Sequence, residues 1–279
     1  MEMKDDDVKK AVREGYGRIA GSGGSCYAPA DSCCCGTNLS TDIGTKIGYS
    51  DDDMRAVPEG SNLGLGCGNP VALASLGEGE VVLDLGSGAG FDSFLASPKV
   101  GAAGKVIGVD MTPEMLEKAR ENARRGGYEN VEFRLGEIEH LPVADRAVDA
   151  IISNCVINLV PDKGAAFAEA FRVLKPGGRL MVSDIVLLAE LPDAVKESIA
   201  AYVGCVAGAV RKDAYLDTLR AAGFEAIEVL EEKSFPVELV AGDPTAKAIM
   251  ENMDIPLERA GEVAASVSSI SVFARKPSG

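Results

Sequence analysis

The sequence predicts an α/β protein built on a doubly wound, largely parallel sheet. Three observations carry this. Between Glu80 and Val186, strand-like runs alternate with helical stretches of about a dozen residues. Those runs are almost solidly apolar, as strands covered on both faces must be. The first of them, "EVVLDLGSGAG", passes directly into glycines, at the strand end where open α/β sheets take ligands.

The elements follow in order. Val8, Val12, Tyr16 and Ile19 recur at helical spacing, so residues 4–20 read as an amphipathic helix. "GSGGS" ends it, and a cysteine-rich loop follows. From Asp42 to Pro70 the chain is rich in Gly, Asp and Pro, with a short helix after Asp51 and the glycine-dense passage "SNLGLGCGNP". "EVVLDL" and "KVIGVD" are the first two strands, separated by the helical "FDSFLAS". "TPEMLEKARENARRGG" is a helix with Thr112 placed as cap, Pro113 in the first turn and glycines at its exit. "NVEFRLGE" and "VDAIISNC" are strands three and four, "KGAAFAEAFRVLKPGG" a helix with a Pro-Gly-Gly stop, and "RLMVSDIV" strand five. A helical stretch holding Cys205 comes next, then the helix "KDAYLDTLRAAG", the strand "EAIEVLEE", a mostly helical segment over 236–265 and the final strand "SSISVFARK". This divides the chain into an N-terminal helix, cysteine loop and lid (1–75), a ligand-binding core (76–188) and a sheet-completing C-terminal region (189–279).

Composition narrows the function. A net charge of −15 over 279 residues leaves no basic cluster to neutralise phosphates, so nucleic acid is not the partner. No apolar run approaches the roughly 18 residues of a membrane span, and "MEMKDDDVKK" has no apolar signal core. The expectation is a cytoplasmic monomer with reduced thiols. With His140 as the sole histidine and no tryptophan, cysteine and carboxylate are the reactive groups that remain.

"DLGSGAG" has the spacing GxGxG, where a dinucleotide site wants GxGxxG. Asp84, just ahead of the glycines, would repel a pyrophosphate but could hold an ammonium group. Asp110 closes the second strand, where a carboxylate can accept both hydroxyls of a ribose. Glu137 and Ile138 follow the third strand, where an adenine ring would lie, and Asn154 ends the fourth. The plainer reading is that Asp84 and Asp110 merely cap turns; acids or amides at four successive strand ends argue for a ligand instead.

With these motifs the chain resembles the class I S-adenosylmethionine-dependent methyltransferases over about residues 78–186, through "VLDLGSGAG", "VIGVD", "GEIEHLP" and "FRVLKPGG". The resemblance implies a Rossmann-like sheet of seven strands with the last antiparallel. It implies that Asp84, Gly86, Ser87 and Gly88 hold the methionine part of the cofactor, Asp110 the ribose, and Met111 and Ile138 the adenine faces.

The cysteines point further. Cys155 follows Asn154 at the mouth of the cofactor site, Cys205 lies in the insertion after strand five, and Cys67 sits in the glycine-dense loop before the core. Any one of them could be a small buried hydrophobe. Three on segments expected to converge suggest a soft acceptor. The CxxC pairs of structural zinc are absent, so no structural metal is expected. Trivalent arsenic prefers three sulfurs in a pyramid, and its own lone pair is nucleophilic.

The chain resembles the prokaryotic arsenite methyltransferases over nearly its full length, through "EGSNLGLGCGNPVALASL", "DLGSGAGFD", "GVDMTPEML", "ISNCVINL", "SDIV" and "AYVGCVAGA". This implies that Cys155 and Cys205 bind arsenic, possible as a thiol conjugate, beside the sulfonium methyl. It also implies that Cys67 and one N-terminal cysteine form a thiol–disulfide relay, renewed by an external thiol such as glutathione or thioredoxin. The run Cys33, Cys34, Cys35 would supply the mobile thiol, with Cys34 as the choice. Two other readings stand beside this one: a methyltransferase for a small quinone-type ring carbon, and a non-catalytic thiol protein that sequesters metalloids.

Overall fold

In the computed structural model the described residues are 5–22, 39–191, 195, 202, 205–234 and 266–279. Cys26, Cys33, Cys34 and Cys35, and the segment expected to be helical over 236–265, lie outside them.

The helix expected at the N-terminus is α1 (Asp5–Ser22), with three acids in its first turn where the helix dipole favours them. Its apolar stripe is buried, Val8 and Val12 among them. Two elements were not expected from sequence. α2 (Leu39–Ile47) forms within the Gly/Asp-rich stretch, and α4 (Pro70–Leu73) is a single turn whose first residue is a proline and whose cap is Asn69. Between them α3 (Asp51–Ala56) is the expected short helix, opened by a reciprocal capping box of Ser50 and Asp53.

The core then alternates as anticipated: β1 (Val81–Leu85), α5 (Phe91–Val100), β2 (Lys105–Asp110), α6 (Pro113–Gly126), β3 (Val131–Leu135) and β4 (Val148–Asn154). A 3-10 turn (Ile157–Leu159), α7 (Lys163–Val173), β5 (Leu174–Leu187), α8 (Lys212–Ala221), β6 (Glu225–Ser234) and β7 (Val267–Arg275) follow. The strands make one seven-stranded sheet in the order β3-β2-β1-β4-β5-β7-β6. β7 runs antiparallel to both neighbours and wedges between β5 and β6, so the sheet crosses the boundary drawn at residue 188. Strand order reverses beside β1, between β1 and β4, and that is the crevice where ligands bind in such sheets.

Thr112 occupies the cap position of α6 but its hydroxyl makes no capping bond; its backbone N–H donates instead to Asp110 Oδ1 at 2.8 Å. Cys205 departs from the helical reading. It sits in a turn in left-handed backbone, φ 64°. Close by, a Cβ on Gly208 would lie 2.0 Å from the Asn158 carbonyl oxygen, so the chain passes tightly against the 3-10 turn there. No described helix is long and apolar enough to cross a membrane.

Candidate active site

At the carboxyl ends of β1, β2 and β4 lies a cleft lined by Asp84, Gly86, Ser87, Gly88, Asp92, Asp110, Met111, Ile138 and Asn154 among others. Gly86 is glycine for a steric reason. Its φ is +65°, and a Cβ there would stand 2.3 Å from Val156 Cγ2. Gly88 opens onto empty space, so ligand atoms can approach its backbone.

The cleft is acidic. Asp84 is buried and accepts from Ser93 Oγ at 2.6 Å. Asp92, in the first turn of α5, accepts from Tyr49 OH at 2.5 Å and from Asn154 Nδ2 at 3.1 Å. Asp110 is held by the backbone N–H groups of Gly88 (2.9 Å) and Thr112 (2.8 Å). Burial pushes all three carboxyls up, Asp92 to about 6, and the Asp92 charge pushes Asp84 further. No lysine or arginine lines the cleft among the described residues. Ser87 Oγ, inside the glycine loop, is buried without a hydrogen-bond partner. A cation with hydrogen-bonding groups would answer both features. The amino acid and sulfonium parts of S-adenosylmethionine fit that description, with Asp84 and Asp92 as the compensating anions.

Glu137 does not face this cleft. Its carboxylate pairs instead with two cations of α1, Lys9 (2.7 Å) and Arg13 (3.3 Å). Its neighbours Ile138 and Glu139 line the cleft instead, and Glu139 also meets Lys9 at 3.0 Å. α1 is therefore pinned across the cleft mouth, where Val12 and Tyr16 form part of the wall.

Beyond Asn154 the three expected thiols meet. Cys67, Cys155 and Cys205 are all buried, all unpaired by disulfides, and belong to one apolar cluster with Val8, Val12 and Leu159. Cys205 Sγ donates to the Cys155 carbonyl at 3.2 Å and lies 3.9 Å from Tyr16 OH. Cys67 Sγ donates to the Ser183 carbonyl at 3.4 Å, and Cys155 N–H donates to the same oxygen at 2.8 Å. Met111 and Cys155 pack in this cluster while also lining the cofactor cleft, so the two spaces share a wall. Like Cys205, Cys155 is held in left-handed backbone, φ 60°. Each such residue costs about 1–2 kcal/mol, which the surrounding packing must offset.

The glycines flanking Cys67 now have a cause. A Cβ on Gly66 would lie 2.6 Å from Asn154 Nδ2, and one on Gly68 would lie 2.6 Å from Ser183 Cβ. The loop backbone rests directly on the ends of β4 and β5, and Cys67 is pressed between them. Asn154 fastens it there: Oδ1 accepts from Cys67 N–H at 2.9 Å, while Nδ2 faces the Gly68 carbonyl (2.8 Å), Tyr49 OH (2.9 Å) and Asp92. One amide thus ties the acidic cleft to the thiol cluster.

All three thiols are held in their protonated form. Burial raises Cys67. For Cys155 the contact with Cys205 lowers the value, but the Cys67 contact and burial outweigh it and leave the thiol well above its usual range. For Cys205 the Cys155 contact and burial both raise it.

Sequence reasoning missed Asp92, Tyr49, Tyr16 and Asp184, a buried acid at the end of β5 whose carboxylate stands against Cys67 and Cys155. The "GFD" after the glycine loop was the available signal for Asp92. None pointed to the others.

Residues 76–223 match a family model described as a methyltransferase domain. An arsenite methyltransferase of Halobacterium salinarum is 51% identical over 230 residues, which is 80% of this chain and 59% of that protein. An arsenite methyltransferase of Aquipseudomonas alcaligenes is 41% identical over 64% of this chain and 54% of its own length. The chain therefore spans somewhat over half the length of these relatives. The crystal structure of an arsenic(III) S-adenosylmethionine methyltransferase from Chlamydomonas reinhardtii superposes with a TM-score of 0.61 at 31% identity, covering 87% of this chain and 74% of that one.

Proposed function

The chain belongs to the S-adenosylmethionine-dependent methyltransferases, and from that premise we propose that it methylates trivalent arsenic held by its own cysteines. The observation that carries this reading is the convergence of Cys67, Cys155 and Cys205, from three distant segments, in one buried cluster that shares a wall with the acidic cleft. The arsenite methyltransferases of similar sequence agree with it.

The bound cofactor supplies a methyl group on a positively charged sulfur. Asp84 and Asp92 would balance its positive charges, Asp110 would accept the ribose hydroxyls, and Met111 and Ile138 would flank its ring. Arsenite enters as a neutral hydroxide or thiol conjugate, which the acidic surface does not repel. Cys155 and Cys205 exchange with two of its ligands. Each As–O bond breaks as an As–S bond forms, and the thiol proton leaves with the hydroxide as water. No separate base is needed, which suits thiols held protonated and a site without histidine. Cys155 and Cys205 would hold the arsenic with its lone pair toward the methyl group that the bound cofactor would supply. Catalysis is mostly positioning, and near-attack geometry is worth roughly 7–11 kcal/mol. α1 contributes by excluding water from both spaces, since Val12 packs against the thiols and lines the cleft.

The product arsenic is pentavalent. Cys67 and an N-terminal cysteine, Cys34 by choice, return two electrons to it and close as a disulfide; the remaining As–O bond breaks as its hydroxide leaves as water with one thiol proton, the other proton goes to solvent, and glutathione or thioredoxin reopens the disulfide. The protein acts as a cytoplasmic monomer on a small molecule, with no nucleic acid or membrane partner. The test is incubation with arsenite, a thiol and S-adenosylmethionine, followed by chromatographic arsenic speciation. Methylated arsenicals appear one for one with S-adenosylhomocysteine. Cofactor binding without any arsenic methylation contradicts the proposal.

A further inference from the structure

Asp184 has no part in the arsenic chemistry above, yet it stands at the centre of the thiol cluster. Its carboxylate is fully buried, and one of its oxygens and the sulfurs of Cys67 and Cys155 lie within 4.8 Å of one another. The carboxylate is firmly oriented. Oδ1 accepts from Asn158 Nδ2 (2.8 Å) and from Ile185 N–H (2.9 Å), and Oδ2 accepts from Tyr215 OH at 3.2 Å. The Ile157 N–H is a further backbone donor to it, so the roughly four acceptor positions of a carboxylate are taken and a metal ion would displace one of these donors. No described lysine or arginine forms an ion pair with it; Lys163, the nearest cation acting on it, donates to the Val160 carbonyl at 3.3 Å.

We propose that Cys67, Cys155 and Asp184 form a binding site for a divalent thiophilic metal ion, zinc or cadmium, which competes with arsenic for the same pocket. A mixed set of two thiolates and one hydrogen-bonded carboxylate is zinc chemistry. Trivalent arsenic draws on sulfur and has no need of the carboxylate. The size fits with small adjustments. Zn–S bonds of about 2.3 Å at tetrahedral angles put ligand atoms roughly 3.8 Å apart, so the cluster must close by an ångström at most. Cys205, whose sulfur already contacts the Cys155 carbonyl, is the nearest fourth ligand. Asn158, Tyr215 and the Ile185 N–H supply the outer hydrogen bonds that ligating carboxylates usually carry. Binding deprotonates the thiols and releases protons. Metal uptake stands on these ligands alone; only its inhibitory consequence rests on the arsenite reading.

The experiment titrates cadmium ion into the reduced chain in which Cys26, Cys33, Cys34 and Cys35 are replaced by serine, so that only Cys67, Cys155 and Cys205 respond. The ultraviolet thiolate-to-cadmium charge-transfer band reports binding, and calorimetry with S-adenosylmethionine checks the fold. One equivalent binds, and Cys155→Ser abolishes the band. Asp184→Asn weakens cadmium about tenfold or more, and this loss exceeds any loss of arsenite affinity by the same factor. Cys67→Ser, which leaves the buried acid untouched, weakens cadmium similarly. No cadmium uptake, undiminished affinity in Asp184→Asn or Cys67→Ser, or equal losses for cadmium and arsenite would each overturn the site. Absence of arsenic methylation would leave the titration result unaffected.

Discussion

Replacing Asn154 by alanine removes the amide that joins the cofactor cleft to the Cys67 loop. Cys67 N–H loses its acceptor, the Gly68 carbonyl loses a donor, and Asp92 loses a donor to a charged oxygen. A neutral bond contributes about 1 kcal/mol and one to a charged group about 1.5–3 kcal/mol. These are not fully additive, and water enters the vacated space. A net loss of about 3 kcal/mol in loop docking is the consequence. At about 1.4 kcal/mol per factor of ten, the undocked population rises roughly a hundredfold. Because the loop is glycine-rich and lies on the surface of the sheet, it opens locally before the domain unfolds. The assay is the rate at which Cys67, buried in the intact protein, is alkylated by iodoacetamide, mapped by mass spectrometry. Asn154→Ala accelerates Cys67 alkylation about a hundredfold and abolishes arsenic methylation. A change of less than about threefold would show that Asn154 does not fasten the loop and would refute the bond accounting.

Three further outcomes follow from the same geometry. Asp92 is held protonated below about pH 6, so a cationic ligand that favours the ionised carboxyl loses affinity as pH falls through that value; calorimetry with S-adenosylmethionine between about pH 8 and about pH 5 registers the fall, and flat affinity would contradict it. Gly86→Ala meets Val156 at φ +65°, raising the cofactor Kd about tenfold or more from the left-handed penalty alone; an unchanged Kd by the same calorimetry would be incompatible with the loop described. Lys9→Met leaves the buried Glu139 without its cation and loosens α1 by about 1–2 kcal/mol; cofactor affinity falls, and the gap from the native protein narrows as salt rises.

The sheet was legible because its strands carry the burden of burial. "VVLDL", "VIGV" and "AIIS" are continuous apolar runs that only a doubly covered sheet accommodates. The glycine loop and the acids at strand ends were legible for the related reason that open sheets place ligands there. The meeting of Cys67, Cys155 and Cys205 could be expected once each thiol was assigned to a strand end or an adjoining insertion. Other features depend on tertiary packing that no local pattern encodes. Periodicity identifies α1 but not that it lies over the cleft, which pairs Glu137 with Lys9 and Arg13. α2 forms in a sequence rich in Gly and Asp because its partners hold it, against weak local propensity. The left-handed backbone at Cys155 and Cys205 has no signature in residue type, since cysteine is not a residue that favours it. Asp184, flanked by serine and isoleucine within a strand, reads as an ordinary edge polar residue until the fold buries it against two thiols.

The central claim is that Cys155 and Cys205 hold arsenic beside the transferable methyl group. Its most direct measurement is methylarsenical formation by Cys155→Ser and Cys205→Ser, with S-adenosylmethionine affinity measured on the same samples. The account predicts that each variant binds the cofactor as the native protein does and makes no methylated arsenic. Methylation persisting in either variant, or cofactor binding lost together with it, would contradict the account.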